Sequence, residues 1–160
     1  LLIGGQASVE LEPGTYVMKD GPLYVSENAR LYGRNVGFYF TGNSATLYFD
    51  ADTSISLSAP ADGPMAGLLI FEDPTARPAR LFSILSDDAR ELTGTIYLPG
   101  GTLVVDADRP VADQSAYTAI IARRLSLYAG PHLVLNTNYH ETDVPVPADI
   151  KLSKGIRLVN

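Results

Sequence analysis

The side chains able to do acid–base or metal chemistry in this sequence are carboxylates, and they fall in small groups. Asp50 with Asp52, and Asp106 with Asp108, lie just past two similar apolar runs. Alternate carboxylates in a turn offer the hard oxygens that Ca²⁺ takes. Two ligands are too few for calcium, and Asp is a favoured turn residue because it hydrogen-bonds its own backbone, so plain turns account for both pairs more simply. Asp87, Asp88 and Glu91 form another acidic group. Glycoside hydrolysis needs two carboxyls facing each other roughly 5–9.5 Å apart, hence a cleft, and no adjacent Lys or Arg pair completes a lyase-like arrangement. Solvated loop charges explain these three.

His132 and His140 are the two histidines, and their spacing matches no His-Glu-x-x-His pattern. His140-Glu141 has the residue types of a base and its orienter, but the surrounding Asn and Thr read as a surface loop. There is no Gly-x-Ser-x-Gly elbow, phosphate loop or dinucleotide fingerprint. The expectation is no catalytic residue and no cofactor, with Asp50, Asp52, Asp106 and Asp108 the only metal candidates. Nine Tyr and five Phe are many for this length, and Tyr16, Tyr39, Tyr48 and Tyr97 decide whether aromatics fill a core or stack on sugar or protein. Arg123-Arg124 is a lone basic pair.

The elements that must carry these residues are strands. Turn residues separate short β-type runs at Thr15–Met18, Leu23–Val25, Val36–Phe40, Thr46–Phe49, Ser54–Ser58, Gly67–Phe71, Leu81–Leu85, Thr95–Leu98, Thr102–Val105, Tyr117–Ile121, Leu125–Tyr128 and Leu133–Leu135. With 11 Pro and 14 Gly dispersed along 160 residues, helical windows are broken nearly everywhere. Ser86–Leu92 is a short, polar helix candidate.

Repetition selects among all-β folds. A Gly opening an apolar strand recurs at Gly14, Gly37, Gly67 and Gly94, which are 23, 30 and 27 residues apart, and Ala119 takes that place 25 residues further on. Two more short strands fit between successive copies. A second echo joins Thr46-Leu47-Tyr48-Phe49-Asp50-Ala51-Asp52 to Thr102-Leu103-Val104-Val105-Asp106-Ala107-Asp108, 56 residues on, about two such periods. Three strands per coil predict an all-β, right-handed parallel β-helix (β-solenoid) of four to five coils, each coil burying its inner side chains on its neighbours. The alternative is a β-sandwich or jelly roll, which also uses short, regularly spaced strands.

The chain reads as one domain over residues 1–160, with 136–160 a C-terminal cap. Its net charge of -6, without a basic stripe, argues against nucleic acid. Cysteine is absent. Ala116–Ala122, the longest apolar run, falls far short of the roughly 20 residues a membrane-spanning helix requires, so no membrane insertion by this segment is expected. The opening Leu1-Leu2-Ile3-Gly4-Gly5 reads as mid-strand, as in a piece of a longer protein.

Several segments carry a family resemblance: Leu11-Glu12-Pro13-Gly14-Thr15-Tyr16-Val17, Gly37-Phe38-Tyr39-Phe40-Thr41-Gly42, Ser56-Leu57-Ser58-Ala59-Pro60, Gly67-Leu68-Leu69-Ile70-Phe71-Glu72-Asp73, Gly94-Thr95-Ile96-Tyr97-Leu98-Pro99, and Asp143-Val144-Pro145-Val146 followed by Gly155-Ile156-Arg157-Leu158-Val159. Together they resemble the C-terminal region of bacterial TadG-like proteins of the Flp, or tight-adherence, pilus-assembly system. The resemblance implies a non-enzymatic structural or adhesive module of the cell envelope, periplasmic or extracellular, anchored through an upstream segment and meeting a pilus protein or a surface. It transfers no catalytic residue. Some relatives also resemble von Willebrand type A domains, and Asp52-Thr53-Ser54-Ile55-Ser56 matches their Asp-x-Ser-x-Ser string; here it runs into an expected strand rather than a helix, as a chance match would. The competing expectation is a carbohydrate-binding or carbohydrate-active (lyase or glycosidase-like) β-helix with a glycan as partner.

Overall fold

Alternation decides which way each short run faces. In Leu23-Tyr24-Val25 and Leu47-Tyr48-Phe49 the flanking residues are buried and the tyrosine points out. In Ser54–Ser58, Ile55 and Leu57 are buried between three partly exposed serines. Such strands need a second layer on their apolar side, and the chain supplies it by winding around itself.

In a computed structural model the described residues run from 1 to 147, and within them the strands stack as a β-solenoid of about five turns with no helix. The first turn holds β1 (Leu2–Ile3), β2 (Ser8–Leu11) and β3 (Gly14–Lys19). The second holds β4 (Leu23–Val25), β5 (Arg30–Gly33) and β6 (Val36–Thr41), and the third β7 (Leu47–Phe49), β8 (Ser54–Ser58) and β9 (Leu68–Glu72). Then come β10 (Leu81–Ile84), β11 (Asp88–Val105) and β12 (Thr118–Leu127).

Three faces result. The first stacks β1, β4, β7, β10 and the C-terminal parts of β11 and β12. The second stacks β2, β5, β8 and the start of β11. The third stacks β3, β6, β9, the middle of β11 and the start of β12. Every pairing between these strands is parallel. That excludes the sandwich and jelly-roll alternative, whose neighbouring strands run antiparallel.

The core consists of in-register columns. Val25, Phe49, Ile84 and Val105 align on the first face, and Phe38, Ile70 and Ile96 on the third. All are at most 1% exposed. The second echo is a true register: Leu47 pairs with Phe82, which pairs with Leu103, so residues 46–52 and 102–108 are equivalent and two turns apart. The glycine echo marks one corner more loosely. Gly14 faces Val36 and Gly94 faces Thr118, each one residue off the expected match.

The expected helix at Ser86–Leu92 is instead the approach to, and start of, β11: Ala89 and Leu92 enter the core while the backbone pairs with β8. Tertiary pairing overrides so weak a local preference. The separately expected strands Thr95–Leu98 and Thr102–Val105 belong to the one bent β11, whose register breaks between Leu98 and Thr102; an earlier corner, at Gly94, has φ 132° and no room for a Cβ beside Ala59. Leu133–Leu135 makes only an isolated bridge, Val111 to Leu133. The strands β2 and β5 were not expected, because their outward Glu10 and Arg30 dilute the apolar signal.

Of the expected cap, residues 148–160 lie outside the described residues. Residues 136–147 form a strap along the corner between the second and third faces. Asn136 donates to the carbonyls of Asp113 and Ser115 in the fifth turn, at 3.3 and 2.9 Å. Tyr139 packs on Tyr117 at 5.1 Å, Val144 is buried, and the Tyr117 hydroxyl donates to the Pro145 carbonyl at 2.6 Å. Burial pushes the Tyr117 phenol up to about 12. The strap ends against Gly67 of the third turn, whose φ is 76 and where a Cβ would overlap the Pro145 carbonyl. Gly67→Ala is therefore expected to lift the strap and to cost about 1–3 kcal/mol, the usual range for a strained backbone. Limited proteolysis should then cut within 139–147; unchanged protection there would refute this account of the strap.

Candidate functional site

The four carboxylates considered as metal candidates do not converge. Since Phe49, Ile84 and Val105 share one register, Asp50 and Asp106 occupy the same corner two turns apart with Leu85 between them. At a strand spacing of about 4.8 Å, that puts their backbones roughly 10 Å apart. Asp50 accepts from the Ala51 amide at 3.0 Å, as a turn former does. Asp108 meets Asp87 rather than Asp52: its amide donates to the Asp87 carboxylate at 2.7 Å. Among the described residues no group of three or more His, Asp or Glu side chains is poised around a common ion position. The Asp52–Ser56 string runs from this corner into β8, where Ser56 donates to Glu91 at 2.7 Å. His132 and His140 are exposed, and Glu141 accepts from Asn138 at 3.3 Å.

Two outward surfaces emerge instead. On the third face, register aligns Val17, Tyr39, Phe71, Tyr97 and Ile121 in one outward column along all five turns. Val17 is 56% exposed and the other four are partly exposed. Tyr39 to Phe71 measures 5.6 Å between ring centres and Phe71 to Tyr97 5.3 Å, the latter pair stacked at 11°. Tyr24 and Tyr48 stack likewise on the first face, at 4.8 Å. Rings stacked along the solenoid axis spend their faces on one another and present edges outward, so they form an apolar ridge rather than platforms for sugar rings.

Beside this ridge Asp73 accepts from the Thr41 hydroxyl at 2.7 Å and from the Thr75 amide and hydroxyl at 2.9 and 2.7 Å. Those hydrogen bonds, Thr75 first, pull its carboxyl down from 3.8 to about 2. A depressed carboxyl stabilises the fold fully above the unfolded value and loses that contribution as pH falls through the folded one. Asp73→Asn should therefore flatten the acid side of the stability profile between 3.8 and about 2, read as denaturation midpoints across that window. A profile of unchanged slope would count against these bonds.

The other surface is a polar cleft between the second face and the strap. Its main hollow, about 450 Å³, runs from Arg34 in the second turn past Ser58, Glu91 and Thr93 to Gln114 in the fifth. A second hollow of about 380 Å³ adjoins it through Arg34, and a small one of about 90 Å³ through Glu91 and Gln114. Arg90 binds Asp113 through Nε at 2.9 Å and also through Nη2. That pairing lowers the Asp113 carboxyl below its ordinary value. No family model, curated protein or solved structure matches this chain. Sequence reading missed the cleft because its residues belong to different turns, and only the register brings them together. The one available signal was the run of outward polar residues Ser54, Ser56 and Ser58.

Proposed function

We propose that this chain is a non-enzymatic structural or adhesive module of a bacterial cell-envelope or pilus assembly, as its resemblance to TadG-like proteins implies, and that it docks a protein partner on its third face. The observation that carries the docking role is the outward apolar column Val17, Tyr39, Phe71, Tyr97 and Ile121, continuous over five turns of a parallel sheet. Contiguous exposed apolar surface marks interaction sites on otherwise polar proteins, and a stack of coils holds such a surface flat and rigid. The carboxylates support the same reading. Asp73, Glu91, Asp113 and Glu72 each have hydrogen-bonding partners within the fold. An acid held ionised, as Asp73 and Asp113 are, is poorly suited to protonate a leaving group. The envelope location and the pilus partner rest on the resemblance alone.

Photo-crosslinking from position 17 or 97 in the producing cell tests this reading. The expected product is a discrete adduct with an envelope or pilus protein, lost when Phe71 is replaced by Asp. Adducts no different from those formed at a control position such as Arg30 would overturn it. So would polysaccharide turnover by the purified chain that disappears in Asp106→Asn.

A further inference from the structure

We infer that the polar cleft on the second face is a binding site for an uncharged oligosaccharide in extended form. It lies apart from the third-face ridge and does not depend on the role given to that ridge. The cleft crosses four turns, from Arg34 to Gln114, three strand spacings or about 14 Å. With its two adjoining hollows it continues over the second face to Glu10 of the first turn. An elongated trough suits a chain ligand better than a compact one. The main hollow, at about 450 Å³, falls within the roughly 300–1,000 Å³ range of small-molecule sites.

The lining selects the chemistry. Among the described residues Ala116 and Val144 are the only apolar ones lining the main hollow, so a greasy ligand would gain little and would strand polar groups. Glu91, Asp113, Glu141 and Asp143 outnumber Arg34, so uronates and phosphates are repelled. A cation is not the better fit. Asp113 is paired with Arg90, Glu91 accepts from the Ser56 hydroxyl, and among the described residues no three acidic or histidine side chains surround a common ion position. What remains is a mixture of donors on Arg34 and Gln114, acceptors on Glu141 and Asp143, and a hydroxyl on Ser58 that does both. Sugar hydroxyls are both donors and acceptors, and this mixed set pairs with them.

Calorimetric titration of the full 160-residue chain with maltohexaose, cellohexaose and mannohexaose tests the site. At least one should bind with a dissociation constant of about 1 mM or tighter. Arg34→Ala combined with Gln114→Ala should weaken it at least tenfold, about 1.4 kcal/mol, without moving the melting temperature, since both side chains are exposed. Tyr97→Ser, on the other face, should leave it unchanged. The inference fails if none of the three binds at about 10 mM, if hexalysine or hexagalacturonate binds instead, or if the double substitution leaves the affinity intact. Sugar binding that survives Tyr97→Ser while third-face cross-links vanish separates this site from the docking surface.

Discussion

Replacing Glu72 with Ala is expected to destabilise the fold by about 3–5 kcal/mol, the cost of leaving one member of a buried ion pair alone. Glu72 aligns with the core residue Phe40 on the neighbouring turn, so alternation points its carboxylate into the solenoid, where it is 1% exposed. Arg80, 6% exposed, meets it through Nε at 3.1 Å and Nη2 at 3.0 Å. The Gly100 amide donates to the other carboxylate oxygen at 2.9 Å. Arg80 Nη1 also donates to the carbonyls of Gly42 and Ala45, at 2.9 and 3.1 Å. The pair thus ties three successive turns together at the corner between the third and first faces, where residues 73–80 form a long loop. Denaturant melts of Glu72→Ala, Arg80→Leu and the double variant should give losses far from additive, because the second replacement removes a charge that the first has stranded. A loss below about 1 kcal/mol for Glu72→Ala would mean that water reaches the site and the pair behaves as a surface one.

Phe49→Ala is expected to cost a similar 3–5 kcal/mol, the range for deleting a buried aromatic ring, and to change how the molecule unfolds. Phe49 is fully buried in the third turn, with Val25 below and Ile84 above in the same column. In a stack where each turn contacts only its neighbours, a lesion in the middle weakens two interfaces and partly uncouples the halves. Ile3→Ala, in the first turn, touches one interface and should cost less. The denaturant slope should fall for Phe49→Ala and hold for Ile3→Ala, because slope follows the surface exposed in one cooperative step. Hydrogen exchange should show turns on the two sides of Phe49 opening separately. Equal losses and equal slopes for the two variants would sink this picture.

Much of the scaffold could be read from residue order. Leu23–Val25 and Ser54–Ser58 fall on the observed strands residue for residue, because their alternation is strict and turn residues bound them. The 56-residue echo is a true two-turn register because both copies present the same inward Leu and aromatic or β-branched pair to one column. What escaped reading has physical causes. The strands β2 and β5 carry charged outward residues that hide the half-buried Leu11 and the buried Leu31 from a count of apolar residues. Glu72 follows an apolar run and precedes Asp73, and nothing local says that Arg80, eight residues on across a loop, turns inward to meet it. Sequence neighbourhood pairs Asp108 with Asp106, whereas stacking sets it against Asp87 on the adjacent turn.

Residue order by itself therefore determined most of the short strands, their inward and outward sides and the coil period, since each depends on interactions within a few residues or on repetition of one pattern. Tertiary structure alone decided which side chains share a column, a cleft or a buried ion pair. Parallel stacking makes neighbours of residues 21 to 35 positions apart on the first face, and the loop lengths between turns set that offset afresh each time. The Tyr39–Phe71–Tyr97 ridge and the cleft from Arg34 to Gln114 are both products of that offset.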